Sequence, residues 1–188
     1  TELMAEEAGL TVDSTGFTQE MEAQKQRSRE AQKAARSGGA PVLELMAEQT
    51  AWLNDNGVHP TDDSFKYKSD VQLPATVMAV FGSDSEFLAN GAAAEKGDFV
   101  GLILDKSSFY AEAGGQESDF GRIELLAEDG SVTGSMLVSD VQAYGGFLLH
   151  KGTVEEGSMQ LGSHVNCRVD YDRRQLVAPN HSMTHLLN

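Results

Sequence analysis

The chain has 188 residues, a net charge of −15 and one cysteine, enough length for one ordinary domain with a real core or for a small domain plus an appendage. The charge argues against a surface that binds nucleic acid indiscriminately, because phosphate contacts draw on Lys and Arg. The longest apolar run, Phe99-Val100-Gly101-Leu102-Ile103-Leu104, is far short of the roughly 20 residues that cross a bilayer, so no membrane partner is expected.

No secretory leader opens the chain, and the start at Thr1 without an initiator methionine reads as a piece of a longer protein. Cys167 has no partner for an internal disulfide, which fits a reducing compartment; it reads as a small core residue on a strand. Residues 17–36 are almost all strong helix formers, with Phe17 and Met21 as the large apolar anchors, and predict a long, mostly solvated helix. The charge reverses locally there: Lys25, Arg27, Arg29, Lys33 and Arg36 stand against Glu20, Glu22 and Glu30. A solvated helical face is the plainer reading, and contact with RNA is the alternative. Ser37-Gly38-Gly39-Ala40 ends that helix, and Pro41 suits the first turn of a second, whose Leu43, Met46, Ala47 and Leu53 share one stripe. Asn56-Gly57 stops it.

After Pro74 the texture changes to short apolar runs at Ala75–Phe81, Phe99–Leu104, Gly121–Leu126, Val132–Val138, Val141–His150 and Val165–Tyr171, separated by Gly, Asp, Ser and Asn. Six strands without intervening helical patterns predict an antiparallel barrel or sandwich. A barrel is the more economical, since closure leaves no exposed edge. The helical pattern returns at Asn180. The fold class is α+β.

Two clusters carry candidate chemistry. Phe109-Tyr110-Ala111-Glu112-Ala113-Gly114-Gly115-Gln116 runs into Asp119-Phe120-Gly121; adjacent glycines permit positive φ or close approach to a ligand, although a barrel loop needs glycine for geometry alone. His181 and His185 are spaced i,i+4, which on a helix puts two imidazoles about 5–6 Å apart at Cβ, within reach of one Zn²⁺. Zinc wants four ligands or three and a water, so partners must come from elsewhere. A zincin would place Glu after the first His; Ser182 stands there, which argues against a metalloprotease. His59, His150 and His164 have no carboxylate or Cys in a recognisable pattern and read as structural or exposed.

Taken jointly, these residues resemble the alanyl-tRNA synthetases, in their eukaryotic cytoplasmic form, and their freestanding editing relatives. The carriers are Phe109-Tyr110-Ala111-Glu112-x-Gly114-Gly115-Gln116 with Asp119-x-Gly121, then Gly145-Gly146-x-x-x-His150, Arg173-Arg174, and Asn180-His181-x-x-Thr184-His185-Leu186-Leu187. Upstream, Leu10-Thr11-Val12-Asp13, Gly16-Phe17, Met21, Gln24 and Arg27 are similar to the region after the tRNA-recognition helices. Thr61-Asp62-Asp63-Ser64-x-Lys66-Tyr67 resembles the eukaryotic linker into the barrel. The departures are small: Ser182 stands where Thr is common and Met183 where Ala is common.

The resemblance implies four regions: 1–40, a helical tail of the tRNA-recognition region; 41–73, helix and linker; 74–172, a barrel like the second domain of elongation factors; and 173–188, the start of a zinc-dependent editing domain. His181 and His185 would be the first two ligands of the editing Zn²⁺, with a Cys-x-x-x-His pair beyond residue 188 supplying the rest. Thr184 would line the editing pocket, and Gly114, Gly115 and Gln116 would approach the acceptor end of tRNA(Ala). The parent would be a cytoplasmic ligase, a mitochondrial form left open, using alanine, ATP and Mg²⁺. A synthetic pocket shaped for alanine gains only about 1–3 kcal/mol against glycine and struggles to exclude serine, which is why a second, hydrolytic site is needed. A freestanding deacylase and a non-enzymatic RNA-binding barrel are the alternatives; residues 1–60 separate the first from a ligase, and the second leaves His181 and His185 unexplained.

Overall fold

The computed structural model describes Gly16, residues 43–68 and residues 72–186, with side chains described through Pro179. The helix expected over 17–36, the upstream motifs apart from Gly16, and Pro41 lie outside the described residues. The chain divides into two compact units, Thr1–Val42 and Leu43–Asn188; the second holds everything below.

Helix α1 spans Ala47–Asp55, not the longer stretch expected from Pro41. Leu43 and Leu45 lie ahead of the helix and are buried while Met46 is 59% exposed, so the apolar spacing there has a period of two, not 3.6. The C-terminus closes as the sequence led one to expect. Gly57 N donates to Asn54 O at 3.0 Å and Val58 N to Leu53 O at 2.9 Å, the paired bonds of a Schellman motif with Leu53 and Val58 both buried beneath it.

Eight strands follow: β1 (Leu73–Phe81), β2 (Ala93–Ala94), β3 (Phe99–Leu104), β4 (Gly121–Leu126), β5 (Val132–Tyr144), β6 (Phe147–Glu156), β7 (Met159–Gln160) and β8 (His164–Val169). Six of them close an antiparallel barrel in the order β1-β3-β6-β5-β4-β8, and β2 pairs with β7 in a small separate sheet. The expected strand at Val141–His150 is in fact a hairpin. Gly145 and Gly146 adopt φ of 57° and 92°, the left-handed pair a two-residue turn requires, and β5 runs unbroken through Ser139-Asp140 up to it.

One half of the barrel wall is apolar on both faces. In β1, Leu73, Ala75 and Val77 fill the interior; after a register shift between Val77 and Ala79, Val80 faces in while Ala79 and Phe81 face out. The bulge flips the alternation. Outward-facing Ala79, Phe81, Ile103, Phe147 and Leu149 pack with Leu43, Leu45 and Leu53, which is why β3 reads as an uninterrupted apolar run. Trp52 of α1 stacks on Phe87 with ring centroids 4.4 Å apart.

Helix α2 spans Tyr171–Leu186, where the sequence suggested strand to Tyr171 and helix only from Asn180. Asp170 is its cap, accepting from Arg173 N at 3.0 Å, the bond an N-cap carboxylate makes to the third helical residue. Pro179 lies inside it and removes the donation to Gln175 O, the local signal that argued against a helix crossing this point.

Candidate functional site

The segment between β3 and β4 begins in the core. Ser107 Oγ lies 2.7 Å from His150 Nε2, and His150 Nδ1 lies 3.0 Å from Leu102 O. The carbonyl can only accept, so Nδ1 carries the proton and Nε2 accepts from the serine hydroxyl. His150 is fully buried, and burial pushes its pKa down to about 4, leaving a neutral imidazole with Phe109 edge-on at 5.4 Å. This histidine is structural, as its sequence context implied. His59 and His164 are exposed. Cys167 is buried, and burial drives its thiol up to about 12, a core residue and not a nucleophile.

Further on, the chain turns outward. Ala113 and Gln116 exchange backbone bonds of 3.3 and 3.0 Å, closing a two-residue turn whose Gly114 and Gly115 have φ of 60° and 85°. Only glycine adopts both without strain. The turn is exposed, and nothing lies within 4 Å of where a Gly115 Cβ would stand. Glu112 N donates to Val141 O at 3.0 Å, tethering the turn to β5. Its tip is therefore a fixed, open piece of backbone that a ligand can approach.

From that turn the chain descends to α2. Asp119, 3% exposed, accepts from Tyr110 N at 2.6 Å and from Arg174: Nε lies 3.1 and 2.9 Å from its two oxygens, and Nη2 also bonds Oδ2. The same guanidinium donates to Lys66 O at 3.0 Å and to Ser108 O at 2.6 Å, with the Tyr171 ring 5.0 Å away. Arg173 donates to Ser118 O at 2.9 Å and to Glu117 Oε2 at 2.6 Å, and lies 3.8 Å over the Phe120 ring. Linker, turn and helix start are thus locked by two adjacent arginines. A planar fork with five donors suits this; an ammonium does not.

Of the sequence-derived site residues, Gly114, Gly115 and Gln116 sit together at the turn. Residues 181, 184 and 185 lie in α2, which is helical to Leu186; their side chains lie outside the described residues. Helical backbone at 181 and 185 sets them one turn apart, as a shared ligand requires. Among the described residues, no group of three or more His, Cys, Asp or Glu could hold a metal ion. No helix among them is long and apolar enough to cross a membrane.

A closed six-stranded antiparallel barrel with a helix clamped to its β3–β4 segment defines a β-barrel module continuing into a helical element. Residues 1–173 match the family model of class II (A) tRNA synthetases; the chain belongs to that family. It is 37% identical over 190 residues to the cytoplasmic alanine–tRNA ligase of Dictyostelium discoideum and 38% identical over 189 residues to the mitochondrial alanine–tRNA ligase of Saccharomyces cerevisiae. Against the cytoplasmic alanine–tRNA ligase of Caenorhabditis elegans the figure is 36% over 200 residues. Each alignment covers 100% of this chain and 18–19% of the relative; the chain spans about a fifth of the length of the relatives it matches.

Sequence reasoning quoted Asp119 and Arg173-Arg174 as motif residues but gave them no role. Their partnership spans 55 positions, and no local pattern announces it. Thr61 was likewise quoted, in the linker motif, without a role: its hydroxyl donates to Leu104 O at 2.9 Å and accepts from Leu148 N at 3.2 Å, stitching the linker to β3 and β6.

Proposed function

We propose that this chain is the part of an alanine–tRNA ligase that joins the tRNA-recognition region to a zinc-dependent editing domain, which hydrolyses serine and glycine from mischarged tRNA(Ala). The observation that carries the reading is the continuity of α2 from its arginine clamp to Leu186, which ties the helix bearing positions 181 and 185 to the Gly114-Gly115-Gln116 turn. Residues 1–60 lie within the family match, which favours a ligase over a freestanding deacylase or a non-enzymatic adaptor. The proposed regions are 1–40, 41–73, 74–172 and 173–188.

His181 and His185 would hold the zinc, with the remaining ligands from outside these 188 residues; when bound, zinc supplies Lewis-acid polarisation and orientation of the aminoacyl end. The backbone of Gly114 and Gly115 and the Gln116 amide would receive the acceptor end of tRNA(Ala). Thr184 would contribute a hydroxyl that discriminates serine by hydrogen bonding, where an apolar pocket discriminates poorly. The parent would use ATP, Mg²⁺ and alanine, in the cytoplasm and with a mitochondrial form left open.

The test is deacylation of serine-charged tRNA(Ala) by the enzyme extended beyond residue 188, together with zinc content after dialysis. We expect the extended enzyme to hold zinc and deacylate, the 188-residue chain to do neither, and His185→Ala to abolish zinc retention. Full zinc and full deacylation in His185→Ala would overturn the ligand assignment.

A further inference from the structure

We propose that Arg174 is a positioning residue for the editing site: it sets the rotation of α2 about its own axis, and so the placement of positions 181 and 185 against the Gly114-Gly115-Gln116 turn. The inference rests on the editing reading above and gives Arg174 a positioning role beyond anchoring the start of α2.

Helical periodicity supplies the first link. At about 100° per residue, positions 174, 181 and 185 fall within about 20° of one line along the helix, with 181 about 10 Å above 174. Pro179 lies about 140° round from that line, so the interrupted backbone bond is off the face they share. Whatever fixes Arg174 in azimuth therefore fixes 181 and 185.

The second link is how firmly Arg174 is held. Its side chain is 12% exposed and that of Asp119 4%, and its N–H groups reach Asp119, Ser108 O and Lys66 O. These acceptors belong to three places: the descent from the turn, the exit from β3, and the linker. A guanidinium bonded in its own plane to three separated acceptors cannot roll without breaking one of them. Asp119 is in turn bonded to Tyr110 N, and Tyr110 Oη reaches Ala113 O at 3.2 Å, so the clamp is built into the base of the glycine turn. Arg173 adds less, since its partner Glu117 is 73% exposed.

Arg174→Lys tests this, because lysine keeps the charge and loses the fork. In the full-length enzyme, amide exchange of residues 171–186 should accelerate at least about tenfold while β3 amides keep their protection. The kcat for deacylating serine-charged tRNA(Ala) should fall at least about tenfold with KM within about threefold, and the visible bands of Co²⁺ substituted for zinc should shift. Asp119→Asn should move all three in the same direction by less, and retained protection of the β3 amides shows that the barrel is folded in each variant. Unchanged exchange in α2, or unchanged kcat and Co²⁺ bands, in Arg174→Lys overturns the proposal. A wild-type enzyme that neither holds zinc nor deacylates overturns the editing reading and this role with it, a result the wild-type arm alone identifies.

Discussion

At the joint between the β3–β4 segment and α2, Arg174 and Asp119 expose 12% and 4% of their side chains; on the outer wall of β4 and β8, Arg122 and Arg168 expose 56% and 54% and pair with Glu155 and Glu124 at 3.0 and 2.9 Å. Both regions use the same two ions. In the first, the carboxylate and guanidinium have lost water and are bonded to backbone as well, so removing either leaves a buried charge alone. In the second, both guanidiniums are more than half exposed and water competes for their contacts, and Arg122 sits opposite Arg168 across the strand pair, a like-charge placement that the two glutamates offset. The joint holds structure together; the open wall mainly keeps it solvated.

The contrast can be broken at its strong side first. Asp119→Ala should cost about 3–5 kcal/mol in urea unfolding, the usual result of stripping one partner from a buried pair. A loss below about 1 kcal/mol would put the joint in the same class as the surface pairs.

Next comes pH. His150 is held near 4 by burial, against about 6.5 in an unfolded chain, so the fold favours the neutral ring. Its contribution is complete above pH 6.5 and is lost as pH falls from there toward 4, on the order of 3 kcal/mol in all. Unfolding measured across that window should show this slope in wild type and lack it in His150→Gln.

Gly115→Ala places an L side chain at a φ of 85°, with no steric neighbour. It should cost about 1–2 kcal/mol from backbone strain alone, read as a lower urea midpoint with an unchanged slope. Arg122→Ala should change stability by no more than about 1 kcal/mol, and by less as salt is raised; a salt-independent loss above that would mean the open wall is less hydrated than its exposure indicates.

Much of this architecture was legible. β4 and β8 alternate apolar and polar residues, as in Arg122-Ile123-Glu124 and Cys167-Arg168-Val169, because Ile123, Cys167 and Val169 face the core while Arg122 and Arg168 meet water. Asn56-Gly57 and Gly114-Gly115 announced their turns through backbone chemistry. Three features were not legible. The phase flip in β1 comes from a bulge in an all-apolar stretch, where alternation carries no signal. The hairpin inside Val141–His150 was hidden because apolar residues flank its glycines on both sides. The early start of α2 was masked by Pro179, although Asp170 stood in place as a cap. At the candidate site, the glycine turn and the i,i+4 histidine spacing could be read locally, whereas the Arg174–Asp119 pairing is a product of closing the barrel.

The most direct test of the joint as one coupled unit is a double-mutant cycle between Arg174→Lys and Asp119→Asn in equilibrium unfolding. A coupling energy of about 1–3 kcal/mol is expected for residues sharing one buried network. Additivity within about 0.5 kcal/mol, the behaviour of independent sites, would contradict it.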